Sequence, residues 1–228
     1  MALEDLAGYS LRRGLGSGSV GTVWLLRDLA SGRHAVLKRV PKTSIPSAEA
    51  FTTDIALARS IDHPHVARLL DVREAEGEWL LFSQYVAAGT LAALLERRGP
   101  LSLGELVTLI SPLAQGLAAM HRAGLVHGHL DLRDVMFDAD GRPVITDAGL
   151  RLQEYSGSPQ ADLAALATIA RQAGGSPTQF PDSLFTGDGD HLSRQILHLA
   201  PPAPIHLGQT STTRPHHAPT TPAPQPPP

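Results

Sequence analysis

A chain of 228 residues, 42% of them hydrophobic, is long enough to bury one core or the cores of two small lobes; with aromatics at 4%, Leu, Val, Ile and Ala must fill them. A formal charge of −3 offers no electrostatic footprint for nucleic acid, so no nucleic-acid partner is expected. The lack of cysteine excludes disulfides, thiol catalysis and Cys-based zinc sites.

The acidic start Met1-Ala2-Leu3-Glu4-Asp5 lacks the apolar segment of a signal peptide. Leu106–Met120 and Ala161–Ala170 read as too short and too interrupted to span a bilayer. The expectation is a cytoplasmic protein without a membrane span. Strand patterns follow at Tyr9–Leu15, Val20–Asp28, His34–Val40, Val66–Arg73 and Trp79–Val86, joined by Gly-containing turns such as Ala30-Ser31-Gly32. One helix, about Ser47–Ser60, interrupts them and stops before His63-Pro64. Beyond residue 90 the pattern turns helical. Thr90–Arg98 ends at Gly99-Pro100, and Ser102–Arg122 opens on a Ser with Glu105 three residues on, a capping box.

These elements predict an α+β chain. Residues 9–86 form a five-stranded antiparallel lobe with one helix, and residues 90–199 a shortened helical lobe around Leu106, Leu109, Leu113, Leu117, Leu163 and Leu166. Together they make one domain over 1–199. Residues 200–228 carry ten of the nineteen prolines and few large apolar side chains, which predicts a disordered tail leaning to polyproline II.

Gly16-Ser17-Gly18-Ser19-Val20-Gly21-Thr22-Val23 has the form G-x-G-x-x-G-x-V, in which glycines let backbone N–H groups approach phosphate oxygens. The dinucleotide-binding version of the motif needs a helix after the third glycine, whereas Thr22-Val23-Trp24-Leu25-Leu26 continues as a β-branched strand, which favours a hairpin. Ala35-Val36-Leu37-Lys38 ends on one of only two lysines. His127-Gly128-His129-Leu130-Asp131-Leu132-Arg133-Asp134 follows, and thirteen residues after Asp134 comes Asp147-Ala148-Gly149. In order and spacing these segments resemble the Gly-rich loop, V-A-I-K, H-R-D-L-K-x-x-N and D-F-G of eukaryotic-type protein kinases. Gly116-Leu117-Ala118-Ala119-Met120-His121 is similar to the bacterial Ser/Thr kinases in particular.

The resemblance implies a two-lobed kinase fold with ATP and Mg²⁺ as cofactors. Gly16, Gly18, Gly21, Val23, Val36 and Lys38 would hold the nucleotide, and Asp134 and Asp147 the metal. In the family the lysine pairs with a helix Glu. Asp54 stands at that position, one methylene shorter. Departures fall on the transfer machinery. His129 replaces the catalytic Asp, and losing a positioned base costs roughly 10²–10⁴ in rate. Asp131 replaces the lysine that contacts the transferred phosphoryl group, costing on the order of 10²–10³ more. Ala148 and Ala58 stand where a Phe and a larger helix residue would pack, which predicts a void. Only twelve residues separate Gly149 from Asp162, the expected helix Asp that secures the catalytic loop, leaving no room for an activation loop and a peptide platform.

The reading is therefore a degenerate, pseudokinase-like member with no intact catalytic set, acting as a signalling or scaffold module. A weakly active Ser/Thr kinase is the alternative, and a small-molecule phosphotransferase, suggested by His127-Gly128-His129, the third. Expected partners are proteins. Gln209–Pro215 and Thr220–Pro222 suit phosphorylation by an active kinase and capture by a phosphothreonine-reading domain.

Overall fold

A computed structural model describes residues 6–18, 21–147 and 157–208. The N-terminal lobe is one sheet of β1 (Tyr9–Gly18), β2 (Gly21–Asp28), β3 (His34–Pro41), β4 (Leu69–Ala75) and β5 (Glu78–Gln84), in the order β1-β2-β3-β5-β4. Every neighbour pair is antiparallel. Helix α1 (Ala48–Ser60) starts where its sequence says, since Ser47 Oγ accepts the N–H of Ala50. It buries Phe51 and Ile55 with Val40 and Leu81 against the sheet. The other sheet face closes over Leu26, Leu37, Leu80 and Phe82, capped by Tyr9 stacked on Phe82.

The helical lobe holds α2 (Leu91–Arg98), α3 (Leu103–Arg122), the hairpin β6 (Val135–Phe137)–β7 (Pro143–Ile145), α4 (Pro159–Gln172) and α5 (Gly189–Ile196). All six leucines named from the sequence are buried here at 1% exposure or less. The expectation for Leu106–Met120 needs correction. The helix runs 20 residues and is long and apolar enough to cross a bilayer, yet it is two-thirds buried as the axis of the lobe. Helix α5 packs on it so closely that a Cβ at Gly189 would lie 2.2 Å from the Ala114 carbonyl oxygen.

The capping box is present. Ser102 Oγ accepts the Glu105 N–H, and Glu105 Oε2 accepts the Ser102 N–H at 2.9 Å. Arg98 adds a forked pair to the Glu105 carboxylate at 2.7 and 3.0 Å. That hydrogen bonding from Arg98, reinforced by Ser102 and opposed by burial, holds the Glu105 carboxyl down to about 2. Its stabilisation is fully present above the ordinary carboxylate range near 4.5 and fades as pH falls toward 2. Glu105→Gln should cost on the order of 2 kcal/mol at pH 7, with the gap in urea midpoint closing between pH 4.5 and pH 2. A gap unchanged at pH 2 would contradict it.

The tail boundary also moves. Residues 200–208 lie along α2 and α3 instead of standing free. Ala203 N–H donates to Gly104 O at 3.0 Å, and Ala203 O accepts Thr108 Oγ1 at 2.7 Å. Arg98 and Arg97 donate to the carbonyls of His206 and Leu207. Composition counts apolar side chains, and here Ile205 and Leu207 suffice as anchors because α2 and α3 satisfy the backbone. Residues 209–228 lie outside the described residues, as do Ala148–Ser156.

Candidate functional site

Two lobes meet at the turn His63-Pro64-His65-Val66. Ile145 N–H donates to His65 O and Ala67 N–H to Ile145 O, at 2.9 and 2.8 Å, while the His65 ring bonds Pro143 O at 2.7 Å. Gly116 leaves room for this turn, since a Cβ there would sit 3.0 Å from His65 O. The β6–β7 hairpin pairs Val135 with Ile145, so the residues just outside it, Asp134 and Thr146-Asp147, come side by side. Thr146 locks them together, its N–H and Oγ1 both donating to the Asp134 carbonyl at 2.8 and 3.1 Å. Asp147 then enters the left-handed region at φ 57°, alone in this among the described non-glycine residues, a conformation that a short polar side chain tolerates.

Between the lobes lies a cleft of about 270 Å³. Gly16, Val23, Val36, Lys38 and Asp147 are among the residues that line it. Val36 stands opposite Leu25 in β2 and Ser83 in β5, which points it into the same wall as Ser83. Gly18 and Gly21 pair across the β1–β2 hairpin. Gly21 has a reason other than phosphate approach: at φ 134°, a Cβ there would meet Arg39 O at 1.8 Å. Leu15, Ser83, Tyr85, Val86 and Met136 also line the cleft and were not singled out from the sequence, being ordinary residues without a spacing signature.

Lys38 is buried, and Nζ meets Asp147 Oδ2 at 2.9 Å. The carboxylate that it reaches is thus Asp147; Asp54 is buried on α1, with a side chain one methylene shorter than the Glu that the resemblance expects there. Behind this pair a second cavity of about 30 Å³ is walled by Ala58, Ile61, Val66, Leu69 and Leu81 and shares Lys38, Ala67, Ser83 and Asp147 with the cleft. It is large enough for a water molecule and lies beside Ala58, where the short side chain predicts a void. Ala148, the other half of that expectation, is outside the described residues.

The catalytic-loop segment is held from below by Asp162 of α4. Oδ2 accepts the His127 N–H and Oδ1 the Gly128 N–H, both at 2.8 Å, and His121 Nε2 bonds Oδ2 at 2.8 Å. Burial pushes this carboxyl up, but His121 and the two backbone donors outweigh it and leave it below its ordinary value. His127 is buried and donates Nε2–H to Thr146 O at 3.0 Å, which makes it a structural residue of the loop. His129, by contrast, is exposed.

A capped turn follows. Asp131 Oδ1 accepts the Arg133 N–H at 2.6 Å, and Asp134 Oδ2 accepts the Asp131 N–H at 2.9 Å. Burial raises the Asp131 carboxyl, yet the Arg133 side chain and backbone bring it below the usual range, so it is an anion at neutral pH. Burial likewise raises Asp134, with His127 opposing and the charges of Asp131 and Asp147 adding to the rise. Two carboxylates that repel each other are what a divalent cation relieves, and Mg²⁺ takes one or two carboxylates plus phosphate oxygens. Among the described residues no three His, Cys, Asp or Glu converge into a closed cage. Asp134 and Asp147 therefore fit Mg²⁺ carried in with a polyphosphate.

Residues 9–167 match the family model of the protein kinase domain, which covers more than half of the chain. The chain belongs to the protein kinase domain family. Over 148 residues it is 31% identical to CBL-interacting protein kinase 17 of Oryza sativa subsp. japonica, covering 64% of this chain and 33% of that protein. Over 152 residues it is 28% identical to calcium/calmodulin-dependent protein kinase type 1B of Rattus norvegicus, covering 64% and 44%. The chain thus spans less than half the length of either relative. For a kinase domain the five-stranded lobe, the cleft and general use of ATP with Mg²⁺ are the family's own features, and the described residues show the first two.

Proposed function

We propose that the protein is a pseudokinase, a signalling module that binds Mg-ATP in the cleft without efficient phosphotransfer. The observation that carries this reading is the ionised Asp131, paired with Arg133 at 2.6 Å, at the position where the family resemblance expects the phosphoryl-contacting lysine. A fixed negative charge there opposes the build-up of charge on a transferring group. With His129 in place of the catalytic Asp, both chemical positions of the loop are altered, while Lys38, Asp134 and Asp147 remain together beside the cleft.

Mg-ATP binding is tested by thermal shift on the full chain. A ligand that binds only the folded state adds about 2.7 kcal/mol at a hundred times its Kd, so the melting temperature should climb steadily with Mg-ATP. Lys38→Met should abolish most of the rise. No rise at millimolar Mg-ATP defeats the nucleotide half of the proposal, and steady ADP release that depends on Lys38 defeats the other half.

A weakly active Ser/Thr kinase is the second reading, favoured by the Asp162 bonds that hold the loop backbone in order. It and the first differ in turnover, not in binding. The segment Gly116–His121 supports a bacterial-type member in either case. Partners are proposed to be proteins, engaged through the hydroxyl-rich residues beyond 208.

A further inference from the structure

Arg133 stands two residues beyond Asp131 and lines the same cleft as Lys38 and Asp147. Its backbone direction is fixed, because Asp131 Oδ1 takes its N–H and Asp134 closes the turn from the other side. Its guanidinium is held along one edge: Nε and Nη2 donate to Asp131 Oδ2 at 3.1 and 2.6 Å. Nη1 has no acceptor among the described residues, and the side chain is 77% exposed. The end of the fork, Nη1 with the second proton of Nη2, is therefore turned out and available.

The charges around it say what it would take. Asp131, Asp134 and Asp147 crowd this side of the cleft, against Lys38 and Arg133. Mg²⁺ would take up Asp134 and Asp147, but the charge of Asp131 is paired with Arg133, and without Arg133 it would face the polyphosphate unopposed. A guanidinium with a free end matches a phosphate in geometry and charge.

We propose that Arg133 is a phosphate-recognition residue of the cleft, which binds the polyphosphate of a nucleotide and makes the site select for it over the bare nucleoside. The loop has in effect moved its cation from the Asp131 position to residue 133. This rests on the nucleotide reading given above. The chemistry is binding alone, with no bond made or broken.

Isothermal titration of the full chain with Mg-ATP and with adenosine tests it on wild type, Arg133→Ala and Arg133→Lys. Arg133→Ala should weaken Mg-ATP by about tenfold or more and leave adenosine within about twofold. Arg133→Lys, which keeps the charge and loses the fork, should fall between. Because the side chain is exposed, both variants should melt close to wild type. Equal weakening of both ligands, or of neither, would reduce the Asp131–Arg133 pair to an ordinary surface ion pair and overturn the proposal alone. If wild type binds neither ligand, the nucleotide reading fails and takes this one with it.

Discussion

Asp162→Ala should be among the most damaging single substitutions in this chain, lowering stability by roughly 3–5 kcal/mol. The carboxylate is 1% exposed and accepts three hydrogen bonds, from His121, His127 and Gly128. Alanine leaves all three donors without a partner where water cannot easily reach them. Each buried unsatisfied group costs about 1–3 kcal/mol, and the whole fold has only about 5–15 to lose. For a chain of this size the melting temperature should drop on the order of 10 °C. Asp162→Asn keeps one acceptor but turns an NH₂ toward the other N–H, so it should recover less than half of the loss. Since the carboxyl lies below its ordinary value, its contribution is present above about pH 4 and is lost as pH falls further. Hydrogen exchange gives the local readout. The His127 and Gly128 amides should lose protection in both variants, and a loss under about 1 kcal/mol with those amides still protected would mean that the loop is held by something else.

Signals that act over a few residues were legible in the sequence. Ser47, Thr90 and Ser102 each cap the helix that they were expected to open, because a capping side chain reaches only two or three residues along its own chain. The glycine pattern and Lys38 were legible for a similar reason, being rare residue types at a fixed spacing. Contacts across long separations were not. Val66 reads as the start of a strand, yet it bridges Ile145 of the other lobe, and β4 begins only at Leu69. A β-branched residue looks the same in either role. The walls of the cleft at Ser83, Tyr85 and Met136 carry no mark of their own, and only the folded sheet and hairpin bring them together. Proline-rich composition predicts disorder and places residues 200–208 in the tail. Their carbonyls instead find Arg97, Arg98 and Thr108, which composition cannot foresee.

The double substitution His129→Asp, Asp131→Lys should raise ATP hydrolysis over wild type by roughly 10²–10⁴, the range attributed to one positioned general base, with further gain wherever the restored cation meets the transferring group. Water is the right acceptor for this measurement. Only residues 148–158 lie between Asp147 and α4, which on the proposed pseudokinase reading leaves no peptide platform for a protein substrate. The structure also warns of a cost. Asp131 caps the turn through Oδ1 and neutralises Arg133, so a lysine there removes a hydrogen bond and sets two cations side by side. Asp131→Asn separates the effects, since its amide oxygen can still cap the Arg133 N–H while the charge is gone. His129→Asp with Asp131→Asn should therefore show the gain from the base alone, and Asp131→Lys should add the gain from the phosphate contact, less the damage to the turn. Each rate is compared with the same variant carrying Lys38→Met, which removes contaminating activity from the comparison. Wild-type hydrolysis that already depends on Lys38 would favour the weakly active kinase. No gain in either double variant, with Mg-ATP still bound, would mean that the block lies outside the two loop positions, and the short stretch before α4 would then be the part that keeps this fold from transferring phosphate.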